Sequence, residues 1–459
     1  MPNLPSLVLA VCAAMSAQSQ QPATRQAMSL LEAVEAALER YPAVRMSEAQ
    51  VREAAAGIQL ARTAYLPKLD GIAGLNRASR NNVLGLLLPS QVIAPVTGPV
   101  LNTNSLASVW GSTVGALVTW EPFDFGLRGA NVDLAEATRA RASAGVARTR
   151  LEVATLTADT FLTLVAAQQT VVAAQAALER SGELERITDA LVRSELRPGA
   201  EFSLAQAEQA SARAQLIRAR QAVAEAKASL AALTGVEVTA IEVRPGRLLD
   251  MPASSDSLHD VLRNPAALEQ QAVISEAEVR VRVLDRSYFP RFSLQGTSYA
   301  RGTGALPEGQ LLQGVNGLGP NIHNWGVGFT ATFPVFELPS IRARRTMENA
   351  RVDAERGRYE QIVVDLKSRQ GVARAAYEGA IQVAETTPVG IGAARSAVSQ
   401  ARARYQAGLA TALDVADAQR RLSQAEIDDS LARLNVWRAR AALYAAQGDI
   451  SALLSEASQ

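Results

Sequence analysis

The sequence predicts a mostly α-helical chain with a membrane β part, built from two tandem copies of one unit. Three observations carry this. Landmarks recur at an offset of 223 residues, two segments alternate apolar and polar residues, and two helical segments exceed 60 residues.

The repeat is read from Tyr41-Pro42, which returns as Asn264-Pro265, and from Tyr65-Leu66-Pro67, which returns as Tyr288-Phe289-Pro290. Farther on, 114–122 matches 327–334 with a one-residue slip, and 198–204 matches 407–413 at an offset of 209. Each copy is ordered helix, β-hairpin, long helix, tip turn, helix. The first repeat takes residues 29–235 and the second 263–447. A linker or equatorial segment occupies 236–262, and a tail occupies 448–459.

Residues 1–28 read as a signal segment and linker, because 7–14 is an apolar run ending in small residues. Leu9-Ala10-Val11-Cys12 roughly resembles a lipoprotein processing box, which makes Cys12 a candidate for lipidation. The competing reading is removal of the segment near Ala17. The next element is a helix of about 23 residues in each copy (43–65 and 266–288), stopped by the proline behind it.

Strands are expected at about 68–77 and 112–122, then at 291–300 and 324–334. In the last of these Trp325, Val327, Phe329, Ala331 and Phe333 share one face, and Gly326, Gly328, Thr330 and Thr332 the other. In copy one Val114, Ala116, Val118 and Trp120 alternate in the same way. Thirteen of the 21 aromatic residues lie in the 110 residues of 65–125 and 288–336. That clustering favours lipid-facing strands, with aromatic girdles near Trp120, Phe123, Phe333 and Phe336, over two soluble hairpins. The loops at 78–107 and 301–321 then lie outside the membrane.

The long helices follow at about 134–195 and 341–405. Phe161, Leu164, Val165, Val171, Val172 and Leu178 fall on one stripe of the first. Gly182 in one helix and Pro388, Gly390 and Gly392 in the other are expected to kink or break them. Tips at 196–202 and 406–411 turn the chain back into shorter helices, with Gly199 and Gly408 expected at positive φ.

Composition removes most catalytic classes. One cysteine and two histidines, His259 and His323, exclude an internal disulfide, a zinc site and a Ser-His-Asp triad. Balanced charge, 46 basic against 45 acidic residues, offers no field for nucleic acid. No P-loop is present, and no run of 18 apolar residues marks a transmembrane helix. No catalytic residue, metal or cofactor is expected. Asp414 and Asp417, three apart on a helix, read as a solvated acidic face and not as an enzyme's carboxylate pair.

The doubled order of elements is joined by three segments: the strand entries at Tyr65 and Tyr288, Trp120-Glu-Pro-Phe-Asp-Phe-Gly126, and 405–416 (YQAGLATALDVA). Together these resemble the TolC-type outer-membrane efflux protein family over nearly everything after residue 28. The last segment is similar to the family's Tyr-x-x-Gly-x-x-Ser/Thr-x-x-Asp-Val pattern. Copy one departs from it, with Leu196 in place of Tyr405 and Ala205 in place of Asp414.

The resemblance implies a homotrimer in the outer membrane of a Gram-negative bacterium, with a 12-stranded β-barrel continued by a periplasmic α-helical barrel. Chain closure argues the same way: four strands cannot close a barrel, open edges are forbidden in lipid, and three chains give 12 strands. The implied function is the passive exit duct of a tripartite efflux or type I secretion system. Its implied partners are outer-membrane lipid, a periplasmic adaptor and an inner-membrane pump. Gly199, Leu204, Gly408 and Leu413 are the implied adaptor-docking tips. The expected periplasmic gate comprises Asp414, Asp417 and Glu208, with Arg193, Arg402 and Arg404 as neutralising cations. The alternative is a periplasmic coiled-coil scaffold without transport, which leaves both hairpins unexplained.

Overall fold

The computed structural model describes residues 27–79, 107–196, 198–252, 260–304, 306, 310–312 and 314–458. Cys12, the signal segment to residue 26, His259 and most of the first outer loop lie outside the described residues. The chain divides into two units: Met1–Glu48 with Gly145–Leu268 and Gln361–Gln459, and Ala49–Ala144 with Glu269–Glu360.

Helix α1 (Leu30–Arg40) precedes the expected first helix and opens with a capping box between Ser29 and Glu32. Helices α2 (Pro42–Thr63) and α5 (Pro265–Arg286) are the paired short helices. Their recurring proline is the first helical residue, where the missing N–H was unpaired anyway. Each helix ends before a second proline, and Pro67 and Pro290 stand directly before β1 (Lys68–Ser79) and β3 (Arg291–Thr303).

With β2 (Ser108–Phe123) and β4 (Ile322–Thr332), these strands make one antiparallel sheet in the order β1-β2-β3-β4. Strand β2 starts four residues earlier than the alternation places it. Its register shifts between Trp120 and Phe123, around Pro122, which has no N–H to give a ladder.

Helices α3 (Leu127–Arg193) and α6 (Leu338–Gln406) run 67 and 69 residues. Neither breaks: α3 passes through Gly182, and α6 through Pro388, Gly390 and Gly392. The local break is absent because one missing hydrogen bond is minor in a helix this long that packs on both sides of it. The returning helices are α4 (Gly199–Thr234) and α7 (Ala412–Gln447), and α8 (Ser451–Ser458) closes the chain.

In the first unit one core joins Leu30 and Val34 of α1, Phe161, Leu162 and Val165 of α3, Leu230 of α4, Trp437 of α7 and Leu453 of α8. Most of the expected α3 stripe feeds it or its neighbours, but Val172 faces outward. Helix α3 does contain an 18-residue window apolar enough for a membrane span, which a count of unbroken apolar runs misses. Phe161, Leu162, Leu164 and Val165 of this helix are spent on the protein core. The indole N–H of Trp437 donates to the Asp250 carbonyl at 2.9 Å. Beneath it Arg440, 2% exposed, pairs with Glu456 of α8 at 2.8 Å.

Candidate functional site: the four-stranded sheet and the helix tips

The sheet belongs to the second unit. Its register aligns the apolar rows of all four strands on one face. Leu69 pairs with Val118, Val118 with Gly296, and Gly296 with Val327. One step along, Trp120 pairs with Leu294 and Leu294 with Phe329. Most of the large members are exposed, Trp325 at 81% and Phe329 at 65%. The opposite face carries Lys68, Thr119 and Gln295 in one row and Thr113 and Arg301 in another. Strands β1 and β4 are the unpaired edges.

The corner from β2 into α3 is tightly bonded. Asp124 accepts from the Arg128 backbone N–H at 2.7 Å and from its guanidinium at 2.9 Å, both side chains buried. Arg128 also lies 4.8 Å over the Tyr65 ring, and the Trp120 indole N–H donates to the Tyr65 carbonyl. These bonds account for Tyr65 and the 120–126 motif.

The tips belong to the first unit, and both are the same turn. At the second, Gly408 has φ +79, its N–H donates to the Tyr405 carbonyl, and the Leu409 N–H reaches back to Arg404 at 2.8 Å. At the first, Glu195 has φ +58, its N–H donates to Val192, and the Leu196 N–H reaches Leu191 at 3.0 Å. Both are Schellman closures. The counterpart of Gly408 is therefore Glu195, not Gly199. Gly199 is the first residue of α4 after Pro198 and has no positive φ. A glutamate in that conformation carries no composition signal, which is why sequence reasoning chose the nearby glycine.

Thr411 caps α7. Its hydroxyl accepts from the Asp414 N–H, while Asp414 accepts from the Thr411 N–H and hydroxyl, each at 2.8 Å. The Thr411 backbone and hydroxyl hydrogen bonds, with the Arg404 charge nearby, hold the Asp414 carboxyl below its ordinary value. Asp417 pairs with Arg421 at 3.0 Å and Arg420 at 3.8 Å, and Arg420 reaches Glu208 of α4 at 3.6 Å. Of the three cations expected to neutralise this acidic set, Arg404 lies near Asp414 and the other two pair elsewhere. Arg193 pairs with Asp189 and Arg402 with Glu183. The i,i+3 and i,i+4 spacing of Arg420 and Arg421 from Asp417 was the legible signal for the true partners.

Tyr405 is buried with Leu184, Ala205, Ala412, Val415 and Ala416, and its hydroxyl donates to Glu201 at 3.2 Å. It ties the two tips together, a role the sequence did not disclose. Gly199, Gly408 and Leu413 are exposed, and Leu204 is half-buried.

The model of the outer membrane efflux protein family matches residues 33–236 and 260–449. This chain belongs to that family. It is accordingly an outer-membrane protein. The pyoverdine export outer membrane protein OpmQ of Pseudomonas aeruginosa is 26% identical over 245 residues, 52% of this chain and 49% of OpmQ. The matched part thus spans about half that relative's length. Among solved structures, the outer-membrane channel OprN aligns over 91% of this chain and 89% of its own, with TM-score 0.72 and 22% identity. The CmeC outer membrane channel of Campylobacter jejuni aligns over 94% and 89%, with TM-score 0.73 and 18% identity. At those identities the likeness is one of fold.

Proposed function

We propose that this family member is the exit duct of a tripartite efflux or type I secretion system. Three copies close a 12-stranded barrel in the outer membrane and continue as a helical tunnel in the periplasm. The observation that carries this reading is the sheet, with one exposed apolar face, one polar face and two unpaired edges. In lipid those edges must be hydrogen-bonded, and copies of the same sheet supply the missing partners. A scaffold without transport leaves this sheet without a use. The polar face lines the lumen, which conducts passively, while a pump and its adaptor supply energy and cargo choice. The chain itself is not an enzyme.

The tips form the periplasmic gate and the docking end. Asp414, Asp417 and Glu208 recur three times around the axis, with Arg420 and Arg421 joining Arg193, Arg402 and Arg404 as the local cations. Gly199, Leu204, Gly408 and Leu413 meet the adaptor. Reconstitution of purified protein into planar bilayers tests the duct. Discrete channels from a detergent-solubilised trimer are expected; a detergent-independent monomer without conductance overturns the reading.

A further inference from the structure

Helix α6 carries a proline in its interior, twenty residues before Gly408. Pro388 has no N–H, so the Ala384 carbonyl loses its helical donor. The neighbouring Thr387 hydroxyl lies 3.3 Å from that carbonyl. It also lies 2.7 Å from Oδ1 of Asp429 on α7. A hydroxyl carries one hydrogen, so it serves one acceptor at a time. Asp429 is 6% exposed, and its other oxygen accepts from Arg433 at 2.9 Å.

Packing around this point is uneven. On one side Ala384 packs with Ala432 and Val436, and on the other Val398 packs with Ala418 and Leu422. Between Ala384 and Val398 no residue of α6 is buried in the chain. A Cβ added at Gly390 or Gly392 meets nothing within 4 Å. The segment thus has a missing hydrogen bond, two glycines and no apolar clamp. The Thr387–Asp429 hydrogen bond reaches across from it to α7.

We propose that 387–392 is a latched hinge in α6, locked by Asp429 and Arg433 of α7, which sets whether the second tip swings open. In the locked state Thr387 donates to Asp429. In the released state the same hydroxyl turns to Ala384 and satisfies the carbonyl that Pro388 leaves unpaired. Two acceptors for one hydrogen give the helix two arrangements, and both keep the hydroxyl bonded. The inference rests on the duct reading for its consequence, gate opening, but not for the hinge.

The test uses the full-length protein and two readouts, amide hydrogen exchange and single-channel conductance. Thr387→Val removes the hydroxyl at nearly constant volume. It is expected to speed exchange at 389–393 roughly tenfold, the worth of one hydrogen bond to a carboxylate, and to raise the open fraction of channels. Thr387→Ser restores the wild-type exchange rate. Adding Gly390→Ala and Gly392→Ala to Thr387→Val stiffens the segment and slows exchange again. Exchange in Thr387→Val equal to wild type, or unaffected by the two alanines, overturns the hinge. Changed exchange with unchanged gating overturns its part in opening. A wild-type protein that never conducts sinks the duct reading instead, and exchange still decides the hinge.

Discussion

Glu195 and Gly408 hold the same left-handed backbone at the two tips, φ +58 and +79. A side chain in that conformation costs about 1–2 kcal/mol, and glycine avoids it. Glu195→Gly is therefore expected to stabilise the first tip by about 1 kcal/mol, and Gly408→Val to strain the second by a similar amount. Local amide exchange on either side of each turn measures both. The Asp414 cap is a pH effect with a defined sign. Its carboxyl lies below the ordinary 3.8, so its stabilisation is complete above that value. It is lost as the pH falls through the depressed native value. Faster exchange in the first turn of α7 is expected only in that acid range, and Asp414→Asn should remove the pH dependence. At the far end of α7, Glu456→Ala leaves the buried Arg440 guanidinium without its carboxylate. Breaking such a pair costs about 3–5 kcal/mol, which chemical denaturation of the solubilised protein reads directly.

Strand β2 meets β3 through Gly115, which stands opposite Tyr299. A Cβ there lands on the Tyr299 Cβ, well inside van der Waals contact, and close to the Ser298 carbonyl. Both are fixed by the ladder, so neither can yield cheaply. Gly115→Ala is expected to separate β2 from β3 and abolish heat-resistant folded protein on gels, whereas Gly71→Ala, with open space around it, leaves the folded band. On the apolar face, Phe329→Arg puts a charge into lipid and costs about 2–4 kcal/mol near the bilayer midplane. The alternation in β2 and β4 was legible because a sheet with two unlike faces has a period of two. Which strands are neighbours was not legible. The β2–β3 junction pairs residues 169 to 192 positions apart, and no local pattern specifies that. The corner at Asp124 and Arg128 is intermediate: its motif stands out in the sequence, but its buried ion pair does not.

For the whole molecule, the edges of β1 and β4 make assembly the central prediction. Crosslinks between cysteines placed on β1 and β4 are expected between chains and not within one, and a trimer is the expected product. Doubling, element order and strand faces all follow from the sequence by itself. They depend on spacing and composition, which the chain states locally. Only the tertiary structure decided the partners. It selected Arg420 and Arg421 for Asp417, placed Glu195 in the tip turn, buried Tyr405 against the other tip, and kept α6 continuous through Pro388. Each of these turns on a contact between distant segments or on the summed packing of a long helix. Free energies of that kind belong to the folded arrangement and leave no periodic trace along the chain.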